Sequence, residues 1–152
     1  MQMQLVRQAT LQTLRTEVLS APVLCGSTAV TNYLFARMAH LPSEEVRALF
    51  LDVRNRLLSD EIMARGEVDR VPFSVRAIVR RAVELNACGI VIAHNHPSGE
   101  AVPSDADIAA TGELVDAART LGIDILDHLV IARSGWASFR RLGLLQSTRA
   151  QS

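Results

Sequence analysis

The sequence predicts a mixed α/β domain, one mixed sheet flanked by helices, and three observations lead there. Two runs rich in apolar residues, Val46–Val53 and Leu57–Ala64, are separated by the short polar turn Arg54-Asn55-Arg56, as a hairpin requires. The run Cys88-Gly89-Ile90-Val91-Ile92-Ala93 is almost wholly apolar, which suits a strand buried on both faces. Stretches with apolar side chains at helical spacing alternate with these strands, the order expected of a sheet covered by helices.

Taken in chain order, Met1 to Ala21 is short and reads as helical, so residues 1–27 are expected to form a helical N-terminal extension. Thr28 to Ala39 predicts a helix whose stripe is Val30, Tyr33, Leu34 and Met38. The hairpin follows, and a loop through Gly66 and Pro72 leads to a helix over Val75 to Asn86, with Ile78, Val79, Ala82, Val83 and Leu85 facing inward. Beyond the apolar strand, Ser104 is a good N-cap for a helix from Asp105 to Leu121 carrying Ile108, Leu114, Val115 and Ala118. A strand from Ile123 to Ile131 and a turn at Ser134-Gly135, joining it to Trp136–Phe139, complete a domain over residues 28–145. Residues 146–152 form a polar tail.

A chain of 152 residues, 49% hydrophobic, fits one core that buries about two-thirds of the unfolded surface. Sixteen basic and sixteen acidic residues cancel, so no strong overall field draws the chain to DNA or to an anionic membrane. Arg76, Arg80 and Arg81 share one expected helix and Arg140-Arg141 form a second pair; both read as solvated faces. The two cysteines, Cys25 and Cys88, lack a Cys-x-x-Cys partner, which excludes a zinc ribbon or a disulfide framework and predicts a reducing cytoplasm. No apolar run approaches the roughly 20 residues of a membrane span, and no basic region followed by a signal core opens the chain.

The chemistry-bearing segment is His94-Asn95-His96-Pro97-Ser98-Gly99 followed by Pro103-Ser104-Asp105-Ala106-Asp107. A catalytic zinc needs three nitrogen or oxygen ligands and a position left for water. His94 and His96, two apart on an extended segment, project to the same side, and Pro97 then ends the strand pairing. Asp107 falls in the first turn of the next helix, and the loop from Pro97 to Pro103 is long enough to fold that turn back over the histidines. Ser104 and Asp107 also match a capping box, a role compatible with metal binding. Asn95 points away from the histidines and is expected to tie the loop together, and Gly99 suits a turn with positive φ. Asp127-His128 is expected either to orient a ligand from behind or to make a structural hydrogen bond.

His94-x-His96, seven intervening residues and Ser104-x-x-Asp107 resemble the signature of the JAMM (MPN+) metallopeptidases. Leu51-Asp52-Val53-Arg54-Asn55-Arg56, Leu85-Asn86-Ala87, Leu126-Asp127-His128, Ser138-Phe139 and Gly143-Leu144-Leu145 are further similar to the bacterial RadC branch, long labelled DNA repair proteins. The resemblance implies a JAMM/MPN fold like that of cytidine deaminases and one Zn2+ per chain held by His94, His96 and Asp107. It also implies a glutamate upstream as general acid/base. Glu44 stands at the family's distance before Phe50-Leu51-Asp52, with Glu45 beside it as the alternative. The implied reaction is hydrolysis of a peptide or isopeptide carbonyl in a protein or peptide substrate, with Ser104 steadying the oxyanion.

Two departures weaken the repair connection. RadC proteins commonly carry a further N-terminal helical region associated with DNA, and here Met1 to Ala21 is short; Ser74-Val75-Arg76 stands where the family often has His-Pro-Arg. DNA association therefore follows from the resemblance alone. A zinc nucleobase deaminase would need His-x-Glu and Pro-Cys-x-x-Cys, and neither is present. The alternative function is a binding or scaffold module, with or without zinc, in DNA repair, and the first 40 residues are a candidate dimer contact.

Overall fold

The computed structural model describes residues 8–12, 14, 28–66 and 72–145. Helix α1 (Thr28–Met38) precedes the hairpin of β1 (Glu45–Leu51) and β2 (Leu57–Arg65); α2 (Val75–Glu84), β3 (Gly89–Asn95), α3 (Asp105–Thr120), β4 (Asp124–Ala132) and β5 (Gly135–Ser138) follow. They form a mixed α/β domain with a five-stranded sheet of order β2-β1-β3-β4-β5. Only β3 and β4 run parallel, and α3 makes the crossover between them.

The sheet separates two cores. Val46, Ala48, Phe50, Ile90 and Ile92 pack with Ile78 of α2 and Leu114 of α3. Leu49, Leu51, Val91 and Ala93 pack on the opposite face with Tyr33, Leu34 and Met38 of α1. Both faces of the central strands are therefore covered, and every residue of β1 and β3 is buried. That includes Arg47, whose guanidinium meets Asp60 at 2.7 Å and Glu45 at 2.9 Å, while the Tyr33 hydroxyl donates to the same Asp60 carboxylate. A buried cation is tolerable only when paired in this way.

Several boundaries shift for local reasons. The strand expected to reach Val53 stops at Leu51, because the Asp52 carboxylate accepts the Arg54 and Arg56 N–H groups at 2.8 and 2.9 Å and Asn55 takes φ 59°. The helix expected to reach Asn86 ends at Glu84, with Asn86 at φ 56°. The terminal hairpin turns on Arg133 and Ser134, and Gly135 already pairs with Ala132. Val83, expected to face inward, is exposed, and so is Ile108 among the apolar residues of α3. In α3 the buried stripe runs through Asp107, Ala110, Thr111, Leu114, Val115 and Ala118, so Ile108 is rotated away from the core.

Of the expected N-terminal extension, residues 8–12 and 14 are helical and the rest of 1–27 lies outside the described residues, as does the tail 146–152. Among the described residues no helix is long and apolar enough to cross a membrane.

Candidate metal centre

Strand β3 carries His94 inside the sheet, paired with Val46 on one side and Val130 on the other. Strand alternation puts His94 on the α3 face with Ile90 and Ile92, and turns Asn95 to the α1 face. Beyond the strand end, the His96 N–H still donates to the Ile131 carbonyl at 2.8 Å, which keeps the backbone extended and returns the second imidazole to the face of the first. The chain then turns at Gly99, whose φ is 98° and whose N–H closes onto the His96 carbonyl. His96 Nδ1 lies 3.1 Å from the Glu100 carbonyl; a carbonyl can only accept, so Nδ1 donates there and Nε2 is the nitrogen turned toward Asp107.

Asp107 arrives from the first turn of α3. The capping box is formed in full, with Ser104 Oγ accepting the Asp107 N–H at 3.0 Å and Asp107 Oδ2 accepting the Ser104 N–H at 2.8 Å. The same Oδ2 lies 3.2 Å from His94 Nε2 and 3.3 Å from His96 Nε2. Capping and convergence on the histidines are thus one arrangement, the cap fixing the carboxylate that faces them.

The two Nε2 atoms are 2.9 Å apart, and the three ligand atoms form a group able to hold a metal ion. Tetrahedral zinc with bonds of about 2.0–2.2 Å separates its ligands by about 3.3–3.6 Å, close to the observed spacing, and two imidazoles with one carboxylate suit it chemically. The residues fit the ion. Burial raises the Asp107 carboxyl, but the hydrogen bonds to His94 and His96 outweigh it and hold the group well below the usual carboxylate range. His96 is shifted upward, chiefly by its bond to Asp107 against the opposing effect of burial, with a smaller push from the Glu44 charge.

Glu44 is half-buried at the entry to β1, within electrostatic reach of His96. Glu45 is committed elsewhere, to Arg47 at 2.9 Å and Arg65 at 3.7 Å. Asn95 holds this segment: its Oδ1 accepts the Glu45 N–H at 2.7 Å and its Nδ2 donates to the Ser43 carbonyl at 2.9 Å. The loop it ties is therefore the one bearing Glu44. Ser104 is exposed beside the cluster, with its oxygen used by the cap and its hydroxyl proton unused by it.

The pair Asp127-His128 divides between its two expected roles. Asp127 is structural, accepting the His128 N–H, the Arg140 N–H and the Ser138 hydroxyl, and so fastening β4 to the segment after β5. His128 is fully buried, stacked on Phe139, with Nε2 at 2.7 Å from His94 Nδ1. Thr111 touches its other nitrogen, a contact that no sequence pattern announced.

Residues 24–144 match the family described as RadC-like JAB domain. The chain belongs to that family. A UPF0758 protein of Rhodobacter capsulatus is 46% identical over 144 residues, which cover 95% of this chain and 67% of that protein. Membership in the RadC-like JAB family agrees with the fold and with the His94, His96 and Asp107 group.

Proposed function

We propose that this RadC-like JAB domain is a zinc-dependent metallopeptidase or isopeptidase acting on a protein or peptide substrate in the cytoplasm. The observation that carries the reading is the convergence of His94 Nε2, His96 Nε2 and Asp107 Oδ2, with Glu44 within electrostatic reach of His96. His94, His96 and Asp107 would hold one zinc ion, which supplies water acidified toward about pKa 7 and polarises a carbonyl. Glu44 takes the proton from the attacking water and returns it to the leaving amine. The Ser104 hydroxyl donates to the developing oxyanion. The exposed Cys88, unpaired among the described residues, suits a reducing compartment.

The DNA-associated scaffold reading draws less support. Arg80 pairs with Glu84 and Arg81 with Glu61 and Glu84, while the Arg141 guanidinium sits 4.8 Å from the Trp136 ring centre, so these cations are engaged within the fold.

Elemental mass spectrometry on protein purified without added metal, beside His96→Ala and Asp107→Ala, tests the site. Near one zinc in the parent and little in the variants supports it and justifies screening peptide libraries for cleavage. Folded parent that stays metal-free when zinc is supplied rules the peptidase out.

A further inference from the structure

Behind the metal face lies a chain of hydrogen bonds whose directions are fixed from one end. Thr111 Oγ1 is 2.7 Å from the Asp107 carbonyl oxygen, one helical turn earlier, and 2.6 Å from His128 Nδ1. The carbonyl can only accept, so the hydroxyl proton goes to Asp107 and the oxygen must accept from His128. His128 Nδ1 therefore carries a hydrogen. Its ring is fully buried between Phe139, stacked at 4.3 Å, and Phe73, edge-on at 6.0 Å, and this apolar surround keeps it neutral with a bare Nε2. His94 Nδ1, 2.7 Å away, must donate to that lone pair. A hydrogen of His94 is thereby held at the back of the ring on Nδ1, and Nε2 is the nitrogen turned toward His96 and Asp107.

We propose that His128 and Thr111 are positioning residues that lock His94 in the Nδ1–H tautomer and so present its Nε2 lone pair to a metal. The inference rests on the metal-centre reading above for its purpose, though not for the tautomer itself. The hydrogen-bond chain begins on the main chain of one ligand residue, Asp107, and ends on the ring of another, His94. A metal-bound imidazole whose rear N–H is held by an acceptor is oriented and made more basic, and loss of such a partner costs about 10–100-fold in metal affinity.

Thr111→Val keeps the shape and removes the acceptor. His128 then has no partner for a hydrogen on Nδ1; the hydrogen moves to Nε2, where it donates to His94 Nδ1 and drives the His94 hydrogen onto Nε2. Thr111→Ser retains the hydroxyl and restores the parent pattern. Long-range nitrogen–proton NMR on the 15N-labelled, metal-free full chain reads the tautomers directly, and only four histidines need assignment. The expected result is a hydrogen on Nδ1 of both His94 and His128 in the parent and in Thr111→Ser. Zinc titrated against a chelator should bind Thr111→Val roughly 10–100-fold more weakly than the parent, with Thr111→Ser near the parent. A parent His94 that lacks a hydrogen on Nδ1 overturns the proposal, even if Thr111→Val fails to fold. So does a folded Thr111→Val protein that keeps the parent tautomers and binds zinc as tightly. A parent with the expected tautomers that takes up no zinc supports the lock and overturns the proposed function instead.

Discussion

Glu44 and Glu45 are neighbours in the chain and serve different parts of the molecule. Glu45 is buried and ion-paired with Arg47, whereas Glu44 is half-buried and its charge is felt by His96. Glu45 opens β1 and is committed to Arg47, whereas Glu44 lies just before the strand and is the proposed general base. Glu44→Gln should retain zinc and melting temperature while hydrolysis falls by about 10²–10⁴-fold. Glu45→Gln should instead lower stability: it removes one of the two carboxylates that compensate buried Arg47, costs about 1–3 kcal/mol, and leaves zinc uptake intact. Comparing metal content, thermal melts and turnover of the two variants checks both; a Glu44→Gln protein with full activity takes Glu44 out of the mechanism.

Asn95 is the device that places Glu44. Its amide bridges the Ser43 carbonyl and the Glu45 N–H from a site that is 1% exposed. Asn95→Ala leaves both backbone groups without that partner, at about 1–3 kcal/mol, and loosens the carboxylate between them. Turnover should therefore fall more steeply than zinc affinity. Equal loss of both, or loss of affinity alone, would mean that Asn95 acts on the histidines instead.

Ser104 has two assignments that one pair of variants separates. As N-cap it accepts the Asp107 N–H at 3.0 Å, and Ser104→Ala should cost about 1 kcal/mol, whereas Ser104→Gly costs only a few tenths. Neither variant retains a hydroxyl. If that hydroxyl steadies the oxyanion, both lose about 10²–10³-fold in kcat despite their different stabilities. Turnover that tracks stability across the two variants would reduce Ser104 to a cap.

How much of this was legible in the sequence depended on whether a residue's role follows from its own neighbours in the chain. His94 and His96 at the end of an apolar strand, and Ser104 with Asp107 at a helix start, are local patterns, and the structure brings them together as spacing implied. The hairpin and the three helices were legible for the same reason. Ile108 is apolar at helical spacing and yet lies off the core face. The buried face opens with Asp107 and Thr111, polar residues whose partners are His94, His96 and His128. Thr111 and the Arg47, Asp60 and Tyr33 group had no signature: each depends on strands and helices far apart in sequence, and only the folded sheet brings their partners within reach.

That last group gives a prediction independent of any metal. Tyr33 is the single tyrosine of the chain, so phenolate absorbance reports on it alone. Burial, then its hydrogen bond to Asp60 and the charge of that carboxylate, push its pKa from the ordinary 10.0 up to about 12, against smaller opposing effects of Arg37 and Arg47. In the unfolded chain the phenol ionises near 10.0, so between there and about 12 the folded state binds more protons than the unfolded one. The contribution of Tyr33 to stability is therefore complete below pH 10.0 and is lost as pH rises toward about 12. Spectrophotometric titration of the intact protein should show a midpoint near 12, or alkaline unfolding before it is reached. Asp60→Asn removes the acceptor charge but leaves the burial, so its midpoint should fall toward 10.0 without reaching it. An intact, folded parent that titrates at 10.0 would show that the phenol is not held by Asp60 in solution.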